Sequence, residues 1–172
     1  MYKTKEVMQA AYVVDDLDAA IEGWLKMAQT GPFFVIRNAA PENFRYRGEA
    51  AEIVMDIAFC QAGPIQVELI QPKSTGPNVY RDMARAEAQF YHHQCYITDD
   101  LEAECKRFAA MGIEVAQEAD TGGVQFAYFD TRHLIGCMTE VVQRGEAMDG
   151  LCNMIADAAA DWDGSNPIRM LG

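Results

Sequence analysis

The sequence predicts an α+β fold: two paired βαβββ modules forming a curved mixed sheet around a central cavity, plus a C-terminal helical extension. Three observations predict it. QAAYVVDDLDAA, starting at Gln9, overlays HQCYITDDLEAE, starting at His93, without a gap. The closing segments also correspond: AFCQAGPIQVELIQ carries Glu68 three residues before Gln71, and YFDTRHLIGCMTEVVQ carries Glu140 three residues before Gln143. Within each half, strand-like alternation gives way to helix-like spacing and then to further apolar alternating runs.

The elements follow in order. Opening strands are expected near 6–14 and 90–98, rich in Tyr, Val and Ile. Asp16 and Asp100 then stand as helix N-caps, their acidic followers suiting the positive end of the helix dipole. The first helix offers Leu17, Ala20, Ile21, Trp24 and Leu25 as its apolar stripe. The second offers Leu101, Cys105, Phe108 and Ala109 and ends at Gly112. Three strands follow in each half, near 33–37, 52–60 and 65–71, then near 113–117, 124–130 and 136–143. The whole chain, 1–172, reads as one domain: module one at about 6–72, a linker at 73–89, module two at about 90–143 and an extension at 144–172. In the linker VYRDMARAEAQ has the makings of a short helix. The extension is expected to form a helix to about Ala160 with Met148, Leu151, Ile155, Ala158 and Trp162 on one side. It is expected to cover apolar surface rather than to take part in chemistry.

Composition narrows the partners. With 26 acidic and 14 basic residues the net charge is -12, which repels nucleic acid and anionic membranes. No apolar run is long enough to span a bilayer. The N-terminus lacks the pattern of a secretory leader. Five cysteines without CxxC spacing argue against a disulfide framework, so a reducing cytoplasmic setting is expected.

Alternation places Gln9 and His93 on one face of the opening strands, and Glu68 and Glu140 on the same face of the closing strands. Two carboxylates buried in one apolar hollow are costly unless a cation compensates them. Gln9, Glu68, His93 and Glu140 are therefore the expected ligands of one divalent ion: zinc, nickel, cobalt, manganese or iron. His92 is expected on the opposite face as a structural residue, and Cys95 as small apolar filler. His133 is placed on the solvated surface. FRYRG (44–48), Lys73, Arg81 and Arg85 are weighed as contacts for an anionic substrate tail against a role as solvated loops.

The paired modules, the DDL turn into each helix and the glutamates of VELIQ and TEVVQ resemble the vicinal oxygen chelate superfamily of glyoxalases, bleomycin-resistance proteins and extradiol dioxygenases. DLDAAIEGWLKMAQTGPFFV is similar to its glyoxalase-like and methylmalonyl-CoA-epimerase-like branch, and WDGSNPIR to tails of some glyoxalase-like members. The resemblance covers about residues 6–143. It implies metal ligands at Gln9, Glu68, His93 and Glu140, a set similar to that of zinc-dependent glyoxalase I. Epimerases more often have His at the position of Gln9 and Gln at that of Glu68. The implied activity is a metal-dependent lyase, isomerase or epimerase that removes a proton beside a metal-bound carbonyl of a small metabolite. Glu140 is the first choice of base and Glu68 the second. A metal-free binding or sequestering protein is the alternative, and an iron-dependent dioxygenase stands third. The resemblance also implies a homodimer.

Overall fold

A computed structural model of the chain describes residues 5–83 and 89–171. Module one runs β1 (Gln9–Val14), α1 (Leu17–Met27), β2 (Phe33–Ala39), β5 (Met55–Ala62) and β6 (Ile65–Pro72). Between β2 and β5 lies a hairpin, β3 (Glu42–Tyr46) and β4 (Glu49–Ala50). A one-turn helix α2 (Val79–Asp82) follows. Module two runs β7 (Gln89–Thr98), α3 (Leu101–Ala109), β8 (Val115–Thr121), β9 (Val124–Phe129), the short α4 (Arg132–Ile135) and β10 (Met138–Gln143). The chain closes with α5 (Glu146–Ala160) and β11 (Ile168–Met170).

The eleven strands among the described residues belong to one mixed, curved and unclosed sheet, in the order β11-β2-β5-β6-β1-β7-β10-β9-β8-β3-β4. Each module thus has its opening strand beside its closing strand, paired in parallel, and the two opening strands join the halves as an antiparallel pair. The expected caps form: Asp16 Oδ1 accepts from the Ala19 N–H at 3.0 Å and Asp100 Oδ1 from the Ala103 N–H at 2.8 Å. The Gln71 and Gln143 side chains repeat one device, each accepting from the first N–H of its module's helix and donating to the carbonyl two residues before it, of Asp15 and of Asp99. α1 buries Leu17, Ala20 and Ile21 against Val14, Val35, Ala58 and Leu69. α3 buries Phe108 over Phe129 and Val141, whereas Ala109, expected in its stripe, is exposed.

Three features depart from expectation. The β3–β4 hairpin turns at Arg47 and Gly48, both with positive φ, and β3 crosses from module one to pair with β8 at the edge of module two. Of the expected linker helix the described residues show α2, Gln89 belongs to β7, and residues 84–88 lie outside the described residues. The tail after Trp162 supplies β11, which pairs in parallel with β2 at the other edge of the sheet. No helix among the described residues is long and apolar enough to cross a membrane.

The concave side of the sheet carries the largest buried cluster, which unites Val13, Ile57, Phe59, Phe126 and Val142 with Met148 and Ile155 of α5. α5 therefore lies across the hollow and closes part of it.

Candidate metal centre

Strand register explains how distant residues meet. Across β6, β1, β7 and β10, one row reads Glu68, Ala11, His93, Met138, and the next reads Gln66, Gln9, Cys95, Glu140. Side chains in both rows point into the hollow because they lie two residues apart on each strand. The small residues Ala11 and Cys95, both wholly buried, occupy the middle of the rows and leave room for their larger neighbours to converge.

Glu68, His93 and Glu140 offer ligand atoms that all lie within 4.8 Å of one another. His93 Nε2 is 3.2 Å from Glu140 Oε2 and 3.4 Å from Glu68 Oε2. These contacts are close enough for an ion pair but poorly aligned, and both His93 Nε2 and Glu68 Oε2 lack a hydrogen-bond partner. Buried polar atoms without partners are rare. Two carboxylates and an imidazole nitrogen facing one gap are the donor set a divalent ion satisfies. Gln9 lies on the adjacent row and borders the same hollow, and its Nε2 donates to Gln66 Oε1 at 2.6 Å. The residues present fit a divalent cation.

The electrostatics agree. Burial pushes the Glu68 carboxyl above the usual carboxylate range; His93 opposes that and the Glu140 charge adds to it. Burial alone pulls the His93 imidazolium down, yet Glu140 and then Glu68 outweigh it and hold it up at about 9.

His92 corrects an expectation. A β-bulge opposite Ala11 and Tyr12 inserts one extra residue into β7, so Ala11 pairs with His93 while Tyr12 pairs with Tyr91. His92 is that residue, and it lies beside His93 rather than on the opposite face. The two Nδ1 atoms are 2.8 Å apart, and His92 Nε2 lies 3.1 Å from the Val79 carbonyl. A carbonyl can only accept, so His92 Nε2 is assigned the hydrogen and bare Nδ1 accepts from His93 Nδ1–H. Burial, then the neighbouring His93, holds His92 well below the usual imidazole range, consistent with this neutral form. The relay from Val79 leaves Nε2 of neutral His93 free to bind a metal.

Above the cluster is a cavity of about 120 Å³ bordered by Gln9, Gln66, Glu68 and Glu140 and otherwise chiefly apolar. Tyr80 from α2 and Tyr128 from β9 contribute hydroxyls 3.2 Å apart. Sequence reasoning missed both: Tyr128 follows the alternation of FAYF, but nothing local shows that α2 turns Tyr80 inward. A larger groove of about 620 Å³, bordered by Arg47, Asp130 and His133, shares no lining residue with the cavity. His133 is exposed there, on the solvated surface as expected. Cys95 is buried filler in the core. The basic residues weighed for an anionic tail are otherwise engaged: Arg47 pairs with Asp82, Lys73 with Asp56, Arg45 donates to the Gly48 carbonyl and Arg81 to that of Ser74. Arg85 lies outside the described residues.

The solved structures most similar in fold include methylmalonyl-CoA epimerase from Mycobacterium tuberculosis, 15% identical, with a TM-score of 0.57 over 87% of this chain and 97% of that one. A variant of the Streptomyces coelicolor epimerase, in complex with 2-nitronate-propionyl-CoA, is 17% identical, with a TM-score of 0.57 over 83% and 99%. A hypothetical protein from Bacillus halodurans, 15% identical, reaches 0.59 over 84% and 97%. No curated protein sequence matches the chain. Residues 8–128 match the model of the Glyoxalase/Bleomycin resistance protein/Dioxygenase superfamily, and the chain belongs to that superfamily.

Proposed function

We propose that this protein is a divalent-metal-dependent lyase, isomerase or epimerase that moves a proton at a carbon next to a carbonyl of a small molecule. The observation that carries this reading is the buried Glu68–His93–Glu140 cluster, with two polar atoms left without hydrogen-bond partners at its centre. Gln9, Glu68, His93 and Glu140 would hold the ion, which would supply Lewis-acid polarisation of the carbonyl and so acidify the adjacent C–H.

The chain's own groups supply the rest. Glu140 takes the proton on a carboxylate oxygen and returns it, and Glu68, across the gap, is the second candidate. Carboxylates on two sides of one carbon permit return to either face, as an epimerase needs, or to a neighbouring atom, as an isomerase needs. The apolar wall excludes water, which would otherwise compete for the proton. Of the Tyr80 and Tyr128 hydroxyls one donates to the other, and the remaining O–H is the donor for a substrate oxygen. The resemblance further supports a homodimer, and the free cysteines support a cytoplasmic setting.

Metal analysis of protein purified without added metal tests the reading. A near-stoichiometric ion is expected in the wild type and little or none in Glu140→Ala. Solvent deuterium incorporation at a substrate C–H, abolished in Glu140→Gln with the ion retained, identifies the base. A metal-free protein that still binds small ligands would instead mark a sequestering role.

A further inference from the structure

The charges around the cavity restrict what it can accept. Its wall is made by residues such as Ile57, Phe59, Val124, Phe126, Val142 and Leu151, and no lysine or arginine is among the described residues that line it. Basic side chains outside the lining have acidic partners: Arg37 and Lys73 both engage Asp56, Arg47 engages Asp82 and Arg132 engages Asp130. At the cluster itself, Glu68 and Glu140 together cancel the charge of a divalent ion, so a bound ion presents little net positive charge to an incoming anion. The chain as a whole carries a charge of -12, which disfavours the approach of anions. The polar groups that remain in the described lining are neutral: the hydroxyls of Tyr80, Thr121 and Tyr128, and the amides of Gln9 and Gln66.

We propose that the cavity takes an uncharged substrate with an apolar body, engaged only through carbonyl and hydroxyl oxygens, and that it discriminates against carboxylate- and phosphate-bearing molecules. This rests on the reading that the cluster holds a divalent ion. A buried carboxylate without a counter-charge is strongly disfavoured, whereas a neutral carbonyl or hydroxyl needs only the one O–H that the tyrosine pair leaves free. The same wall gains from burying an apolar body. The inference separates this chain from the methylmalonyl-CoA epimerases it resembles in fold, structures of which hold methylmalonyl-CoA or 2-nitronate-propionyl-CoA.

Isothermal titration of the zinc-loaded full-length protein tests it with two probes of similar size, 2-hydroxyacetophenone and mandelate. Both carry a phenyl group and oxygens on two adjacent carbons, but only mandelate is a carboxylate. The neutral probe is expected to bind at least about tenfold more tightly, and methylmalonyl-CoA to give no heat below millimolar concentration. Leu151→Arg places a cation on a half-buried position of the wall and is expected to narrow the ratio severalfold. Equal or tighter binding of mandelate, submillimolar binding of methylmalonyl-CoA, or no binding of either probe by zinc-loaded protein overturns the inference while leaving the metal reading intact. A wild-type protein that takes up no zinc overturns the metal reading itself.

Discussion

At the scale of single residues, the centre depends on side chains whose orientation is fixed by a neighbour. Gln66 fixes the Gln9 amide, and His92, itself held by the Val79 carbonyl, fixes the His93 tautomer. His92→Phe keeps a ring but removes the acceptor, so His93 loses its preference for presenting Nε2. Zinc affinity, read by competition with a chromophoric chelator, is expected to fall about 10- to 100-fold; unchanged affinity would mean that His92 is only packing. His92→Gln, with a carbonyl acceptor, is expected to recover part of the loss. Asp56 is a separate structural case. It is buried, and its carboxylate accepts from Arg37 Nη1 at 2.9 Å and the Asn38 N–H at 2.7 Å, with Lys73 Nζ at 2.8 Å. Burial would raise its pKa, but Lys73, the Asn38 N–H and Arg37 together depress it. A depressed carboxyl stabilises the fold fully above the unfolded value near 3.8 and loses that contribution as pH falls through the folded value. Asp56→Asn is therefore expected to cost about 2 kcal/mol at pH 7, with the gap from wild type closing below about pH 4 in urea unfolding. A gap independent of pH would remove the charge from the explanation.

At the scale of elements, the decisive feature is the register of β6, β1, β7 and β10. Ala11 sits between Glu68 and His93 in its row, wholly buried, so any added bulk there must push the two apart or shift a strand. Ala11→Val is expected to weaken zinc binding at least tenfold while costing about 1–3 kcal/mol of stability. Metal titration and urea unfolding on the same sample separate the two effects, and full zinc affinity would show that the row tolerates bulk. Much of this geometry was legible in the sequence. A period of two on each strand, together with the repeat, placed Gln9, Glu68, His93 and Glu140 on one face, where the structure finds them. His92 was not legible, because a bulge adds one residue to a strand and reverses the alternation beyond it, and QFYHHQ contains no glycine or proline to mark the site. The β3–β4 hairpin escaped for a similar reason: its turn is Arg-Gly rather than the stronger Asn-Gly signal, and its partner β8 lies some seventy residues later.

At the scale of the whole molecule, the extension after Gln143 does more than cover apolar surface. α5 lays Met148 and Ile155 into the concave core, Met148 and Leu151 help line the cavity, and β11 extends the sheet beyond β2. Trp162, expected on the helix stripe, instead follows the helix and packs against Gly31, where an added Cβ would meet its ring at 2.7 Å. The sequence showed the apolar stripe of α5 but not the surface it packs on, because a concave face is formed only when both modules are in place. It follows that α5 can dock only on a completed core, so its packing should be lost together with the sheet and not before it. Ile155→Ala removes a wholly buried side chain and is expected to destabilise the protein by about 2–4 kcal/mol. Unfolding should remain a single transition when followed both by Trp fluorescence, which reports Trp162 at the tail and Trp24 on α1, and by far-ultraviolet dichroism. Two separated transitions, with fluorescence changing first, would instead show that the extension docks as an independent unit and that the cavity wall can open while the sheet remains folded.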